Sequence, residues 1–205
     1  MKLHTLLFFA LAIVTMSFND TVTILTDAER KYASQLLQDT KENLLKKVNG
    51  LTAEQLNFKP DANTWSVAEC VEHIAMSENG LFGFAQMSLQ QPADASKRGE
   101  VKMTDEAVVK MITDRSTKRT AQEAVKPTGK FGSFEATLNE FKTKREGSVN
   151  YINTTEDDLR NHYSDFPFGK LDAYQTILFM AGHTKRHTDQ IEEIIKNPRF
   201  PKKGK

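Results

Sequence analysis

Two histidines four residues apart, His183 and His187, lie within one continuous amphipathic segment, residues 172–196. At about 100° per residue, a helix places these two side chains about 40° and one turn apart. Five residues, mostly apolar, share this side of the helix: Thr176, Phe179, Met180, Ile191 and Ile194. Four charged residues fall on the opposite side: Lys185, Asp189, Glu192 and Lys196. The pattern therefore predicts a long helix whose two imidazoles point into the protein.

Burying two imidazole rings costs free energy unless their nitrogens find partners. A divalent metal fits the spacing, because histidines at positions i and i+4 can both reach one ion at about 2.0–2.1 Å. The alternative is a pair of core histidines that are hydrogen-bonded to carbonyl or carboxylate groups. A third ligand elsewhere in the chain would favour the metal.

A second amphipathic segment supplies a third histidine. Residues 66–69 form a capping-box pattern, which predicts a helix that starts there and runs to about residue 90. On this helix His73 shares its inward side with four residues: Cys70, Ser77, Gly80 and Phe84. Three nitrogen ligands with a fourth position open are typical of a catalytic zinc site. The sequence thus predicts one divalent metal on His73, His183 and His187. Zinc is expected, although imidazole also suits nickel, copper and iron.

Other residues are candidates for substrate binding or catalysis, each with a plain alternative. Glu69, one turn before His73, is a candidate general base or orienting carboxylate, or it only completes the helix cap. Ser77 and Gly80 are small and would leave space for a substrate beyond the imidazole. Arg145 would offer a cation to an anionic ligand, or would extend to solvent. His162, in a loop, would line the mouth of the site or lie on the surface.

The fold predicted from these patterns is an all-α four-helix bundle over residues 26–197. The long helices are expected at about 27–48, 67–90, 133–152 and 172–196. A long connection, residues 91–132, carries a short extra helix at about 104–114. Such a connection permits the third long helix to run parallel to the second, which a short turn would forbid. No strands with an alternating pattern are expected, and residues 160–170 are predicted to form a loop.

Composition restricts the partners. A net charge of +1 argues against nucleic acid as the main partner. The chain ends in a basic tail, residues 198–205, whose last five residues, 201–205, are expected to be a solvated end. The single cysteine, Cys70, excludes an internal disulfide and a cysteine-rich metal site. A small molecule is the expected partner of the three-histidine site.

The N-terminus has the pattern of a secretory signal peptide over residues 1–19. A short positive start is followed by an apolar run at 6–14, which is too short to span a bilayer, and then by polar residues. The chain is therefore predicted to be exported to the periplasm or the extracellular space, with no membrane span after cleavage. The alternatives are a membrane anchor made of the uncleaved leader and a buried N-terminal helix.

Three blocks of the sequence together resemble the DinB-like superfamily, in particular its DinB-2-type four-helix-bundle domains. The first block is LTAEQL at 51–56 followed by WSVAECVEHIA at 65–75, the second is HYSDFPFGKL at 162–171, and the third is HTKRHTDQI at 183–191. The resemblance spans about residues 28–196. It implies a bundle that holds a divalent metal on three histidines, which correspond to His73, His183 and His187.

Relatives in that superfamily include S-transferases that use bacillithiol or mycothiol, a thiol-dependent maleylpyruvate isomerase, and proteins described as metal-dependent hydrolases. Homodimers are common among them. The resemblance implies a metal that activates water or a thiol for hydrolysis or S-transfer on a small molecule. Export would make a low-molecular-weight thiol less plausible, because these thiols are mainly cytoplasmic. The alternative function is a non-catalytic bundle that binds a metal or a small ligand.

Overall fold

The computed structural model describes residues 24–202, so the predicted signal peptide lies outside the described residues. The helices are α1 Asp27–Val48, α2 Ala53–Asn57, α3 Val67–Ser88, α4 Asp105–Thr113, α5 Phe134–Thr154 and α6 Ala173–Ile195. Two strands, β1 Tyr163–Phe166 and β2 Gly169–Asp172, precede α6, and short 3₁₀ turns cover Ala95–Glu100 and Glu123–Val125. None of the helices within 24–202 is long and apolar enough to cross a membrane.

The predicted helix starts are confirmed by their caps. At the start of α3, the Ser66 hydroxyl accepts the Glu69 backbone N–H, and the Glu69 carboxylate accepts the Ser66 backbone N–H. Thr26 and Glu29 form the same reciprocal pair before α1. These caps satisfy amide groups that have no partner within the first turn of a helix, and so define where the helices begin.

The four long helices form the predicted bundle. Helix α1 packs on α5 and α6, and α3 packs on the same two helices, so α1 and α3 lie diagonally across the bundle. Along α3 and α5, Glu78 pairs with Arg145 and, further on, Phe82 contacts Tyr151 edge to face. Contacts that advance together along both chains show that α3 and α5 run parallel. The long connection permits this parallel arrangement.

Helix α4 lies in that connection and packs closely on α6 at Gly182. A Cβ atom on Gly182 would stand 2.5 Å from Cγ2 of Ile112, closer than real carbon contacts allow. The Arg186 guanidinium donates hydrogen bonds to the backbone carbonyls of Ile112, Asp114 and Thr117. Arg186 thus supplies partners for carbonyls that the end of α4 leaves free.

The prediction of a loop without strands at residues 160–170 was wrong. Strands β1 and β2 form an antiparallel hairpin, in which Tyr163 pairs with Asp172 and Phe166 pairs with Gly169. Gly169 has a φ of 132°, a conformation that favours glycine. The aromatic ring of Phe168 stacks on Phe179 of α6 at 5.3 Å, and this contact attaches the hairpin to the bundle.

The tail packs on the bundle as far as Pro201, whereas Lys202, within the end predicted to be solvated, is exposed. Phe200 contacts Phe58 edge to face at 5.5 Å, and the Gln55 amide donates to the carbonyl of Pro201 at 2.8 Å. Aromatic burial and a satisfied amide together hold residues 199–201 beside α2.

Candidate metal centre

The structure brings His73, His183 and His187 together. Helix α3 supplies His73 from its second turn, and α6 supplies the other two from its second half. One ring nitrogen from each residue lies within 4.8 Å of the other two. Nε2 of His73 is 3.3 Å from Nε2 of His183. The helix pair therefore presents three nitrogen donors to one point.

Hydrogen bonds orient two of these rings. Nδ1 of His73 is 2.7 Å from the carbonyl oxygen of Val125, and Nδ1 of His187 is 2.9 Å from Oε1 of Gln190. A carbonyl or amide oxygen can only accept, so both Nδ1 atoms carry the proton. In a neutral ring, Nε2 is then left with a free lone pair. This arrangement is typical of metal-ligating histidines.

The donor set fits a single divalent ion. Two nitrogens bound to tetrahedral zinc at about 2.0–2.1 Å lie about 3.3–3.4 Å apart, which matches the separation between His73 and His183. The same spacing also allows a hydrogen bond from Nε2–H of His183 to Nε2 of His73. Nδ1 of His73 carries the proton of that ring in both cases. Metal binding and the hydrogen bond therefore differ in whether Nε2 of His183 is protonated.

The surroundings keep all three rings neutral. Burial lowers the pKa of His187 to about 3, with a further contribution from His73. Burial, followed by the neighbouring His187 and His73, holds the pKa of His183 well below its usual range. Burial also lowers the pKa of His73, opposed by the bond to Val125. Neutral imidazoles are the form that binds a metal.

Aromatic rings cover much of this centre. The Trp65 ring lies 4.8 Å from that of His73 and 6.1 Å from that of His187. Phe179, one turn before His183 on α6, stacks on its ring at 6.3 Å. His183 is the most exposed of the three histidines.

The family model described as the DinB superfamily matches residues 36–191. The chain belongs to the DinB superfamily. It is 30% identical to the uncharacterised Bacillus subtilis protein YuaE over 148 residues, which cover 72% of this chain and 87% of YuaE. The fold is similar to that of YfiT from Bacillus subtilis, with a TM-score of 0.58 at 15% identity over 86% of this chain and 91% of YfiT. YfiT is described as a probable metal-dependent hydrolase with an unusual four-helix bundle topology.

In this DinB domain Glu69 lies in the helix cap. One carboxylate oxygen accepts the Ser66 backbone N–H at 2.8 Å, and the other is 2.7 Å from Nζ of Lys59. The capping role is the alternative that the sequence left open. The cluster of ligand atoms within 4.8 Å of one another contains the three histidines, and no carboxylate of residues 24–202 joins it.

Arg145 neither extends to solvent nor offers a cation to a ligand. Its side chain is 0% exposed, and its guanidinium forms a bidentate ion pair with Glu78 in which both hydrogen bonds are 2.7 Å long. The remaining donors bond to the Leu37 carbonyl and to the hydroxyls of Thr40 and Thr184. All five donors of Arg145 are thus engaged inside the bundle, so both sequence-based interpretations of this residue were wrong.

His162 lies at the other end of the bundle. Its Nδ1 donates to the Ser88 carbonyl at 3.1 Å. Ser88 ends α3 and is separated from His73 by about 22 Å along the helix axis, at 1.5 Å per residue. The prediction that His162 lines the site mouth was therefore wrong.

The two small residues of α3 have different surroundings. Ser77 is buried one turn beyond His73, whereas Gly80 is exposed, with open space where its Cβ would stand. The prediction that Gly80 lies on the inward side with His73 was wrong, because the open space beside it is on the exposed side of α3. A role of either residue in binding a substrate stays a prediction.

Sequence reasoning missed the two groups that orient the rings. The acceptor for His73 is the backbone carbonyl of Val125, and no residue type in the sequence indicates such an acceptor. Gln190 was detectable, because a side chain three residues after His187 lies on a neighbouring position of the same helix.

Proposed function

We propose that this DinB domain is a metal-dependent enzyme that acts on a small molecule, with one divalent metal, zinc in the simplest case, on His73, His183 and His187. The observation that carries the proposal is the orientation of the rings. The Nδ1–H groups of His73 and His187 each donate a hydrogen bond to an oxygen. The Nε2 atoms of His73 and His183 lie at the separation of two zinc ligands.

A divalent ion held there would supply Lewis acidity, which lowers the pKa of a water or thiol at the position that the histidines leave open. The chain itself contributes binding and exclusion of water. The Val125 carbonyl and the Gln190 amide oxygen accept hydrogen bonds from the two Nδ1–H groups, and the rings of Trp65 and Phe179 cover the histidines. An apolar cover strengthens electrostatic interactions at the centre.

Hydrolysis is the reaction that we place first. The description of YfiT as a probable metal-dependent hydrolase supports it, as does the predicted export, since thiols of low molecular weight are mainly cytoplasmic. S-transfer is the second candidate, and one observation favours it. No carboxylate within residues 24–202 joins the histidine cluster as a ready base, and a thiol gives up its proton more easily than water does.

A substrate would approach on the side of His183, the most exposed ligand. Ser77 and Gly80 of α3 would line this approach, because they follow His73 by one and two turns. The open space beside Gly80 gives room for a small molecule.

Metal content tests the site directly. The protein would be purified without a nickel column and compared with His73→Ala, His187→Ala and the matched control His162→Ala, which removes a histidine at the far end of the bundle. We expect about one equivalent of metal in wild type and in the control, and loss in the other two variants. Absence of metal in wild type after reconstitution with zinc would overturn the proposal.

Activity is then measured on metal-free and zinc-loaded protein, with a panel of esters and amides and with electrophiles supplied together with a thiol. Turnover that needs zinc but no thiol identifies a hydrolase, and turnover that needs both identifies an S-transferase. Tight zinc binding without turnover on either panel would favour the non-catalytic binding bundle.

A further inference from the structure

Glu72, the residue before His73 on α3, is a buried acid whose carboxylate serves the long connection. Only 7% of the residue is exposed. Its Oε1 accepts the backbone N–H groups of Thr128 at 3.2 Å and Lys130 at 2.7 Å, and its Oε2 accepts that of Gly129 at 3.0 Å. Three consecutive amides thus converge on one carboxylate, an arrangement in which backbone groups bind an anion.

The turn that presents these amides has a defined shape. Gly129 has a φ of 75°, in the left-handed region that favours glycine. The N–H of Gly132 donates to the Gly129 carbonyl at 3.0 Å and closes the turn. The conformation allows all three N–H groups to face Glu72, so the carboxylate and the turn stabilise each other.

The same stretch of chain also contacts His73. The carbonyl of Val125, three residues before Thr128, accepts a hydrogen bond from Nδ1–H of His73. Glu72 and His73 are consecutive on α3 and differ in direction by about 100°. The two side chains therefore hold one loop at two points, and the position of the Val125 carbonyl depends on the turn that Glu72 binds.

We propose that Glu72 is a positioning residue for His73. By binding the turn at 128–130, it keeps the Val125 carbonyl within reach of Nδ1 of His73, and the ring then keeps the tautomer whose unprotonated Nε2 faces His183. If this acceptor moves away, the proton can transfer to Nε2, where it would occupy the lone pair that a metal needs. Glu72 does not belong to the histidine cluster and acts only through the loop.

The tautomer is measured first, in metal-free protein at pH 7, by long-range ¹H–¹⁵N NMR of the histidine side chains. The variants are Glu72→Ala and the isosteric Glu72→Gln, which keeps one acceptor oxygen. Glu123→Gln is the matched control, because Glu123 is an exposed acid of the same connection that pairs with Lys126. We expect His73 protonated at Nδ1 in wild type and control, and a substantial Nε2–H population in Glu72→Ala.

Zinc affinity is the second readout, by competition with a chromogenic chelator. Loss of a group that orients a metal ligand typically weakens affinity by about 10–100-fold, and this is the loss expected for Glu72→Ala. Glu72→Gln should fall between Glu72→Ala and wild type. The control should bind zinc as wild type does.

An unchanged tautomer and unchanged zinc affinity in a folded Glu72→Ala protein would overturn the inference. If this variant does not fold, Glu72→Gln decides in the same way, and unfolding of both variants would make Glu72 a stability residue and also overturn it. The inference rests on the proposed function, because the tautomer of His73 matters to a metal site. Different measurements test the inference and the proposed function. Wild type without zinc affinity defeats the proposed function, whereas the tautomer result tests Glu72 without any metal.

Discussion

Nε2 of His73 and Nε2 of His183 face each other at 3.3 Å, across two antiparallel helices that are far apart in sequence. Buried aromatic contacts and hydrogen bonds to Nδ1 hold the ligand rings in place. Ligands that are held in advance lose little conformational entropy when they bind. The protein therefore positions these ligand rings before a metal binds.

Trp65 should report metal binding. It is the single tryptophan of the chain, and its ring lies 4.8 Å from that of His73. Copper(II) bound by the histidines should quench its fluorescence, because a paramagnetic ion this close to the indole deactivates its excited state without emission. A titration followed by emission should saturate in wild type and in His162→Ala. The same saturable quenching in His187→Ala would contradict the assignment of the ligands.

The stability of the metal-free protein should fall as the pH drops from about 7 to 5. His187 is expected to titrate near its ordinary pKa when unfolded, but burial lowers its folded pKa to about 3. The unfolded chain then binds a proton that the folded protein does not, so acid favours unfolding. The free energy of unfolding should drop by about 2 kcal/mol from this histidine alone.

Urea denaturation at several pH values measures this dependence. His187→Gln is the comparison, because glutamine has no proton to gain in this range. Its stability should depend less on pH than that of wild type. Equal slopes in the two proteins would show that the folded state does not lower the pKa of His187.

Arg145→Met should destabilise the protein by about 3–5 kcal/mol, because it leaves the buried carboxylate of Glu78 without its partner. The double variant Arg145→Met with Glu78→Leu should recover part of that loss. Lys41→Met is the control, since the ion pair of Lys41 with Glu146 is far more exposed and should contribute less than about 1 kcal/mol. Urea denaturation gives all three values. A wild-type stability of Arg145→Met would contradict the structural role.

Glu69 can be tested as a cap or as a base with two substitutions. Glu69→Gln keeps a side chain that completes a capping box but removes the basic carboxylate, whereas Glu69→Ala removes both. If Glu69 is a cap, Glu69→Gln keeps stability and activity, and Glu69→Ala loses about 1 kcal/mol of stability. Loss of turnover in Glu69→Gln with unchanged stability and metal content would restore the general-base interpretation.

Periodicity and capping patterns were enough to predict the parts of the fold that depend on local sequence. The three histidines were recognisable because their helices show a clear apolar side. The cap at the start of α3 was recognisable because its two members, Ser66 and Glu69, are three residues apart. These features depend on spacing along one helix. The parallel arrangement of α3 and α5 is different, because the length of the connection permits it but does not require it.

The remaining parts depend on contacts between distant segments. Arg145 is read as an exposed or ligand-binding cation until Glu78 and Thr184, from two other helices, are placed around it. The strands of the hairpin are four residues long, too short for alternation to be recognised, and they are held by Phe179 of α6. The acceptor for His73 is a backbone carbonyl, which any residue type would provide.

The long connection between α3 and α5 has a consequence for how such domains diverge. It carries Val125 and the turn bound by Glu72, and Arg186 holds the end of its helix α4, which packs on α6. Insertions and substitutions are tolerated better in the loops of such a segment than in a packed helix. We therefore expect selection to reshape access to the histidines through this segment, while the helices that carry the ligands stay nearly constant.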